Sequence, residues 1–126
     1  MASIELTQDN FDEIITNNEI VLIDFWATWC GPCQTFGPIF EETSEKYPDA
    51  IFAKVNTEDQ QEIAGHFQIR SIPTLMIFRE QIIVFSQAGA LPASGLEQVI
   101  DKVKDLDMAD VRKQIESQMA DQQQEG

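Results

Sequence analysis

The chain's two cysteines stand three positions apart, directly after an apolar stretch, and this arrangement constrains the fold more than any other feature. A Gly-Pro dipeptide separates Cys30 from Cys33. Residues 20–27 are apolar apart from Asp24, which is typical of a strand covered on both faces of a sheet. Pro32 suits the first turn of a helix, where its missing N–H would be unpaired anyway. The sequence therefore predicts a C-x-x-C pair at a strand-to-helix junction.

Two cysteines at this spacing admit three interpretations. A structural zinc site needs about four ligands, and the chain offers two cysteines and one histidine, His66. A structural disulfide would close a very short loop, and short loops stabilise least. A redox dithiol in a cytosolic protein is the interpretation that the spacing favours. We therefore expect no metal site.

Length and charge narrow the classes of function. The 126 residues suit one domain, and the 43% that are apolar suffice for a core. A net charge of −14 argues against nucleic acid or anionic lipid as a partner and favours self-repulsion. No apolar run reaches the roughly 18 residues that a membrane span needs, and the chain does not open with a basic leader. We therefore expect a cytoplasmic monomer with no membrane partner.

Apolar periodicity predicts strands that alternate with helices along most of the chain. The expected order is β-α-β-α-β-α-β-β-α, and the last two strands should form an antiparallel hairpin around residues 79–81. That turn contains neither Gly nor Asn, so we expect strain or a longer loop there. This order implies an α/β fold with a central mixed β-sheet flanked by helices on both faces.

Residues 107–126 form a second, weaker unit beyond a domain of residues 1–106. Four apolar side chains of this extension fall on one helical stripe: Met108, Val111, Ile115 and Met119. They predict an extra C-terminal helix to about residue 120, with disorder after it. The helix either folds back on the domain or extends the preceding helix, and the alternative is a helix that binds a partner.

Two charged residues of the predicted strands are candidates for the chemistry of the dithiol. Asp24 falls in an apolar strand, so it should be buried, and burial raises the pKa of a carboxyl group. It is either a structural acid or a proton acceptor, and its position six residues before Cys30 favours the acceptor. Lys54 lies near the end of the strand over residues 50–55, where it is either an ordinary exposed lysine or part of the site.

Residues 21–33 read V-L-I-D-F-W-A-T-W-C-G-P-C, and this segment resembles the active site of the thioredoxin family. Further matches follow in the family's order: Lys54, R-S-I-P-T at residues 70–74, and A-G-A at residues 88–90. The resemblance covers residues 3–104. It implies the thioredoxin fold and a cis peptide bond before Pro73.

The sequence departs from the commonest family pattern at a few positions. Gln34 stands where a basic residue is frequent, and Ser71 stands where glycine is frequent. The hairpin turn lacks the usual glycine. These departures bear on target preference and redox potential, and they leave the class of protein unchanged.

The resemblance implies a general protein-disulfide reductase, an enzyme of electron transport and cell redox homeostasis that works by dithiol–disulfide exchange. Cys30 precedes a helix, whose free N–H groups favour a thiolate, so it would be the nucleophile. Cys33 would resolve the mixed disulfide, after Asp24, steadied by Lys54, accepts its proton. No bound cofactor is needed, because the cysteines carry the electrons. The partners would be disulfide-containing target proteins and a thioredoxin reductase.

Further residues are expected to shape the site. Gly31 and Pro32 would set the geometry between the two sulfurs, with Pro73 beside them. A flat apolar rim for an extended target strand would consist of Trp29, Ile72, Pro73 and Gly89. Two alternative functions remain: an oxidase or isomerase on the same fold, or a non-enzymatic binding subunit that docks through the C-terminal helix.

Overall fold

Strands and helices alternate along the chain in the predicted order. The computed structural model describes the backbone of residues 3–125 and the side chains of residues 3–121. Its elements are β1 (Ser3–Glu5), α1 (Phe11–Asn17), β2 (Ile20–Trp26), α2 (Gly31–Ser44), β3 (Ile51–Asn56), α3 (Gln61–His66), β4 (Thr74–Arg79), β5 (Ile82–Ala88), α4 (Ala93–Lys104) and α5 (Met108–Glu125). None of the described helices has the length and apolar character needed to cross a membrane.

The five strands form one mixed sheet, as the sequence predicted. Their order is β1-β3-β2-β4-β5, with β1, β3 and β2 parallel and with β4 antiparallel to both β2 and β5. The strand that leads to the dithiol, β2, is therefore the central one. Phe25 near its end pairs with Thr74 at the start of β4, so both lie at the dithiol end of the sheet.

Helices cover both faces of the sheet, and β2 divides its side chains between them. Leu22 belongs to the core cluster that includes residues of α2 and α4, whereas Ile23 belongs to the cluster that includes residues of α1 and α3. Because side chains alternate along a strand, Asp24 faces the same side as Leu22. The buried acid of β2 therefore lies on the face that α2 covers.

The β4–β5 hairpin has a two-residue turn with a strained backbone. Arg79 pairs with Ile82 across the turn, and the two residues between them, Glu80 and Gln81, have φ values of 50° and 70°. This left-handed region favours Gly or Asn, and neither is present. The predicted strain at this turn is confirmed.

The extra C-terminal helix is present, but it continues past its predicted end near residue 120. It runs to Glu125, and only Gly126 of the predicted disordered end lies outside the described residues. Residues 120–125 include Ala, Gln and Glu, which are good helix formers, and no Gly or Pro interrupts them. Local helix propensity therefore outweighs the polar composition that suggested disorder. Along the stripe, Met108 is buried and Met119 is exposed.

Candidate active site

The dithiol lies at the junction of the central strand and α2. Cys30 is the N-cap residue of α2, Cys33 lies in the first turn, and the two are joined by a disulfide with Cα atoms 5.3 Å apart. Both side chains are buried, with 4% and 5% of their surface exposed. The backbone N–H of Cys33 donates to Sγ of Cys30 at 3.2 Å. This N–H and the helix dipole favour negative charge on that sulfur once the pair is reduced.

The loop before β4 approaches the dithiol from the other side. The peptide bond between Ile72 and Pro73 is cis, as the family resemblance implied. The carbonyl oxygen of Ile72 lies 3.6 Å from Sγ of Cys30. The N–H of Gly89 donates to the carbonyl of Pro73 at 2.8 Å, and its φ of 101° is a conformation that favours glycine. The fold thus brings the predicted 72–73 segment and Gly89 together next to Cys30.

The predicted rim residues differ in how much surface they offer. Trp29 is 71% exposed, Gly89 is also exposed, and Ile72 is half-buried. Pro73 is buried, so it supports the rim from below and offers little surface of its own. An extended chain that lies across this surface would therefore meet Trp29, Ile72 and the backbone around Gly89.

Asp24 is fully buried beneath the dithiol end of the sheet. Neither of its carboxylate oxygens has a hydrogen-bond partner among the described residues. Burial raises the pKa of Asp24 to about 7, and the positive charge of Lys54 opposes part of that rise. The carboxyl group therefore changes its protonation state near neutral pH, although an exposed aspartate would remain ionised there.

Lys54 pairs with Asp24 across β2 and β3, and it has a second neighbour in Trp26. In the register of the two parallel strands, Asp24 stands opposite Lys54. The Lys54 ammonium lies 5.1 Å from the centroid of the Trp26 ring, which is a cation–π contact. The lysine is thus held beside the sheet at the position where its charge acts on the carboxyl group.

A cleft of ≈ 390 Å³ connects this pair of strands with the dithiol helix. Its wall includes Lys54, Cys33 and the ring of Trp26, so it provides a path between solvent and the inner cysteine. Sequence reasoning singled out Gln34 beside the dithiol and missed the other residues of this wall: Ala27, Thr28, Gly37, Pro38 and Glu41. The lining residues on α2 recur at intervals of four residues from Cys33, so they share one face of the helix. This spacing was the signal in the sequence that could have identified them. Within the described residues, no three His, Cys, Asp or Glu side chains come together to hold a metal ion.

Comparison with known proteins places this architecture in a well-populated group. The sequence model of the family described as Thioredoxin matches residues 2–102. A Streptomyces coelicolor protein provisionally named thioredoxin 2 is 56% identical over 119 residues, which cover 94% of this chain and 89% of that protein. The thioredoxin of Chlorobaculum thiosulfatiphilum is 43% identical over 100 residues, which cover 78% of this chain and 93% of that protein.

Solved structures agree with the sequence matches. A Plasmodium falciparum thioredoxin superposes with a TM-score of 0.73 at 38% identity, covering 78% of this chain and 96% of that one. A mutant thioredoxin from Halobacterium salinarum superposes with a TM-score of 0.76 at 32% identity, covering 84% and 97%. The match to the Streptomyces protein is too long to fit within residues 1–106, so it includes part of the C-terminal extension.

Proposed function

The chain belongs to the thioredoxin family and is a protein-disulfide reductase that works by dithiol–disulfide exchange through Cys30 and Cys33, and from this premise we propose how its residues divide the work. The observation that carries the proposal is the position of Cys30 at the N-terminus of α2, the helix that covers the sheet face on which the buried Asp24 lies. An activated thiol and a group that titrates near neutral pH are what a two-step exchange needs.

Cys30 is the attacking thiol and Cys33 the resolving one. The Cys30 thiolate attacks one sulfur of a target disulfide, a bond forms between them, and the other target sulfur leaves as a thiolate. The Cys33 thiolate then attacks the sulfur of Cys30. This step restores the Cys30–Cys33 disulfide and releases the second target thiolate, so two electrons pass from the dithiol to the target.

Asp24 is the proton acceptor for Cys33, and Lys54 tunes it. A base works best when its pKa lies near the operating pH, and burial brings the pKa of Asp24 to about 7. The cleft lined by Cys33 and Lys54 has room for water, and Lys54 stands opposite Asp24 in the paired strands, which supports proton transfer through solvent. Lys54 limits the rise in the carboxyl pKa, since its charge favours the ionised form.

Neighbouring residues set the geometry and receive the target. Gly31 and Pro32 hold the two cysteines within one helical turn, and Pro73 directly follows Ile72, whose carbonyl lies beside Cys30. Trp29, Ile72 and Gly89, with Pro73 beneath them, form a docking rim for an extended segment of the target. The carbonyl of Ile72 near Cys30 supports this role, because it can pair with the backbone of a strand that brings a disulfide to the sulfur.

The partners of the reaction are target proteins with accessible disulfides and a thioredoxin reductase that regenerates the dithiol. The setting is the cytoplasm, because a disulfide reductase operates where the compartment keeps thiols reduced. There the protein would contribute to electron transport and cell redox homeostasis. The net charge of −14 opposes self-association and supports a monomer.

Replacing the resolving cysteine tests the proposed order of attack. The Cys33→Ser variant should accumulate a covalent mixed disulfide with a protein target such as insulin, because Cys30 still attacks and no thiol releases the product. The matched Cys30→Ser variant should accumulate none. Non-reducing gel electrophoresis and mass spectrometry measure the adduct, and an adduct on Cys33 in the Cys30→Ser protein would reverse the assignment.

A further inference from the structure

The loop that joins β2 to α2 is held by a side-chain contact that the exchange mechanism does not use. The hydroxyl of Thr28 donates to Oε1 of Glu58 at 3.0 Å. On the other side, Nε2 of Gln34 donates to the backbone carbonyl of Thr28 at 3.4 Å. Thr28 is thus tied both to the loop after β3 and to α2, and its side chain is exposed.

The loop that carries Glu58 is itself fixed. The N–H of Glu58 donates to Oδ1 of Asn56 at 3.0 Å, and the carbonyl of Glu58 accepts from Nε2 of Gln61 at 3.1 Å. The N–H and hydroxyl of Thr57 both donate to the carbonyl of Trp26, at 2.9 Å and 3.1 Å. The backbone that carries Glu58 is therefore held in place, and the Glu58 carboxylate accepts the hydrogen bond from Thr28 at a fixed position.

Trp29 follows Thr28 directly and depends on this loop for its position. Its side chain is 71% exposed, so packing contributes little to fixing the ring. The backbone of residues 28–30 sets the point from which the Trp29 side chain projects beside Cys30. A platform that is fixed before a target arrives loses less conformational entropy on binding than a mobile one.

We propose that the Thr28–Glu58 hydrogen bond is a positioning device that fixes Trp29 for target docking. This inference rests on the docking rim proposed above and adds two residues to it. The Thr28–Glu58 hydrogen bond acts through Trp29, so its loss should weaken the binding of a protein target.

Steady-state kinetics on two substrates test the device. Dithiothreitol serves as the electron donor, so no reductase is needed, and the substrates are insulin and the small disulfide 5,5′-dithiobis(2-nitrobenzoate). For Thr28→Val and for Glu58→Ala, the KM for insulin should rise about two- to fivefold, the range of one hydrogen bond between exposed groups. For Glu58→Ala, whose side chain is not part of the cleft beside Cys33, the kcat for insulin and both constants for the small disulfide should stay within experimental error.

Two further variants separate the hydrogen bond from the charge of Glu58. Glu58→Gln keeps an oxygen that accepts from Thr28, so its KM for insulin should stay near that of the unaltered protein. Thr28→Val combined with Glu58→Ala should be no worse than either single change, because both remove the same bond.

The outcomes distinguish a failure of this inference from a failure of the proposed function on which it rests. An unchanged KM for insulin in Thr28→Val, or a Glu58→Gln variant as impaired as Glu58→Ala, would overturn the device while the unaltered protein still reduces both substrates. If the unaltered protein reduces neither substrate, the proposed function fails and the device fails with it.

Discussion

The two ends of the central sheet differ in how many hydrogen bonds their buried charged side chain makes. At the dithiol end, the carboxylate of Asp24 and the indole N–H of Trp26 are buried without a hydrogen-bond partner among the described residues. At the hairpin end, the Arg79 side chain is 13% exposed, and its Nη1 donates to three backbone carbonyls, those of Val103, Lys104 and Leu106, at 2.7, 3.1 and 2.8 Å. Its Nε is buried without a hydrogen-bond partner among the described residues. One end leaves both oxygens of a carboxyl group unpaired, and the other gives a guanidinium three hydrogen bonds through one of its nitrogens.

The difference corresponds to what each end does. A buried carboxyl group without partners costs stability, yet its pKa near 7 lets it exchange a proton during catalysis. Arg79 instead pairs the last carbonyls of α4 and lies 3.6 Å from the Glu19 carboxylate, so it joins α4 to the hairpin end of the sheet. The two ends are separated by β2, about 20 Å at the usual rise of a strand. Changes at one end should therefore leave the function of the other intact.

The largest effect is expected for Asp24→Asn, which should stabilise the protein at pH 8. The folded pKa of about 7 lies above the ordinary aspartate value of 3.8, so the folded state binds more protons between these values and stability falls as pH rises through them. Full ionisation of the Asp24 carboxyl group therefore lowers the free energy of unfolding by up to about 4 kcal/mol, since each pKa unit corresponds to about 1.36 kcal/mol. Urea denaturation at pH 8 should show a gain approaching that size, and at pH 3 no difference.

The same substitution should slow the release of reduced target at pH 7, because Cys33 then lacks its proton acceptor. General base catalysis is commonly worth about 10²-fold or more, and a smaller loss is expected where water substitutes for the base. Single-turnover mixing measures the release step. An unchanged release rate, with the stability gain present, would make Asp24 a structural acid and remove its proposed role.

Arg79→Met should cost about 3 kcal/mol of unfolding free energy, because three backbone carbonyls lose their donor and two of these hydrogen bonds are part-buried. Arg79→Lys is the matched control, since it keeps the charge but not the planar fork that reaches several acceptors, and it should be intermediate. Denaturation at pH 7 measures both variants. Insulin reduction should be unaffected under native conditions, and a loss of activity without unfolding would break the separation between the two ends.

Removing residues 107–126 should cost about 2 kcal/mol and leave insulin reduction unchanged. The deletion exposes the site of the buried Met108 and removes the Arg112–Glu80 ion pair, both remote from the dithiol. Denaturation and the insulin assay are compared on the same preparation. Lost turnover in a folded protein would assign the extension to the catalytic domain.

The smallest effect is expected for Glu80→Gly at the strained hairpin turn. Glycine relieves the positive φ by about 1 kcal/mol, but in the full chain the change also removes the ion pair with Arg112. In the full chain, the gain from glycine and the loss of the ion pair should nearly cancel. In the chain without residues 107–126, the free energy of unfolding should rise by about 1 kcal/mol. Equal effects in both backgrounds would show that Glu80 does not anchor α5.

The sequence predicted the parts of the site that local patterns encode. The apolar context of Asp24 was enough to predict a buried acid, and the alternation of strands and helices was enough to predict the mixed sheet. The cis bond before Pro73 came only from the family resemblance, because cis bonds are a small minority of X-Pro bonds.

Contacts between residues distant in sequence could not be predicted. Arg79 meets carbonyls 24 to 27 positions away, and Thr28 meets Glu58 30 positions away. Both pairings depend on how loops and helix ends meet after folding, and neither leaves a periodic signal. The end of α5 was misjudged for a different reason, since its polar residues suggested disorder while their helix propensity extends the helix to Glu125.

Direct titration of Asp24 tests the contrast between the two ends most directly. Carbon-13 NMR follows the side-chain carboxyl carbon of Asp24 in the oxidised protein, with Asp24→Asn as the control that assigns the signal. We expect the chemical shift to titrate with a pKa of about 7. A pKa near 4 would mean that the carboxyl group is solvated or paired, and the account of an unpaired acid held ready for the dithiol would be wrong.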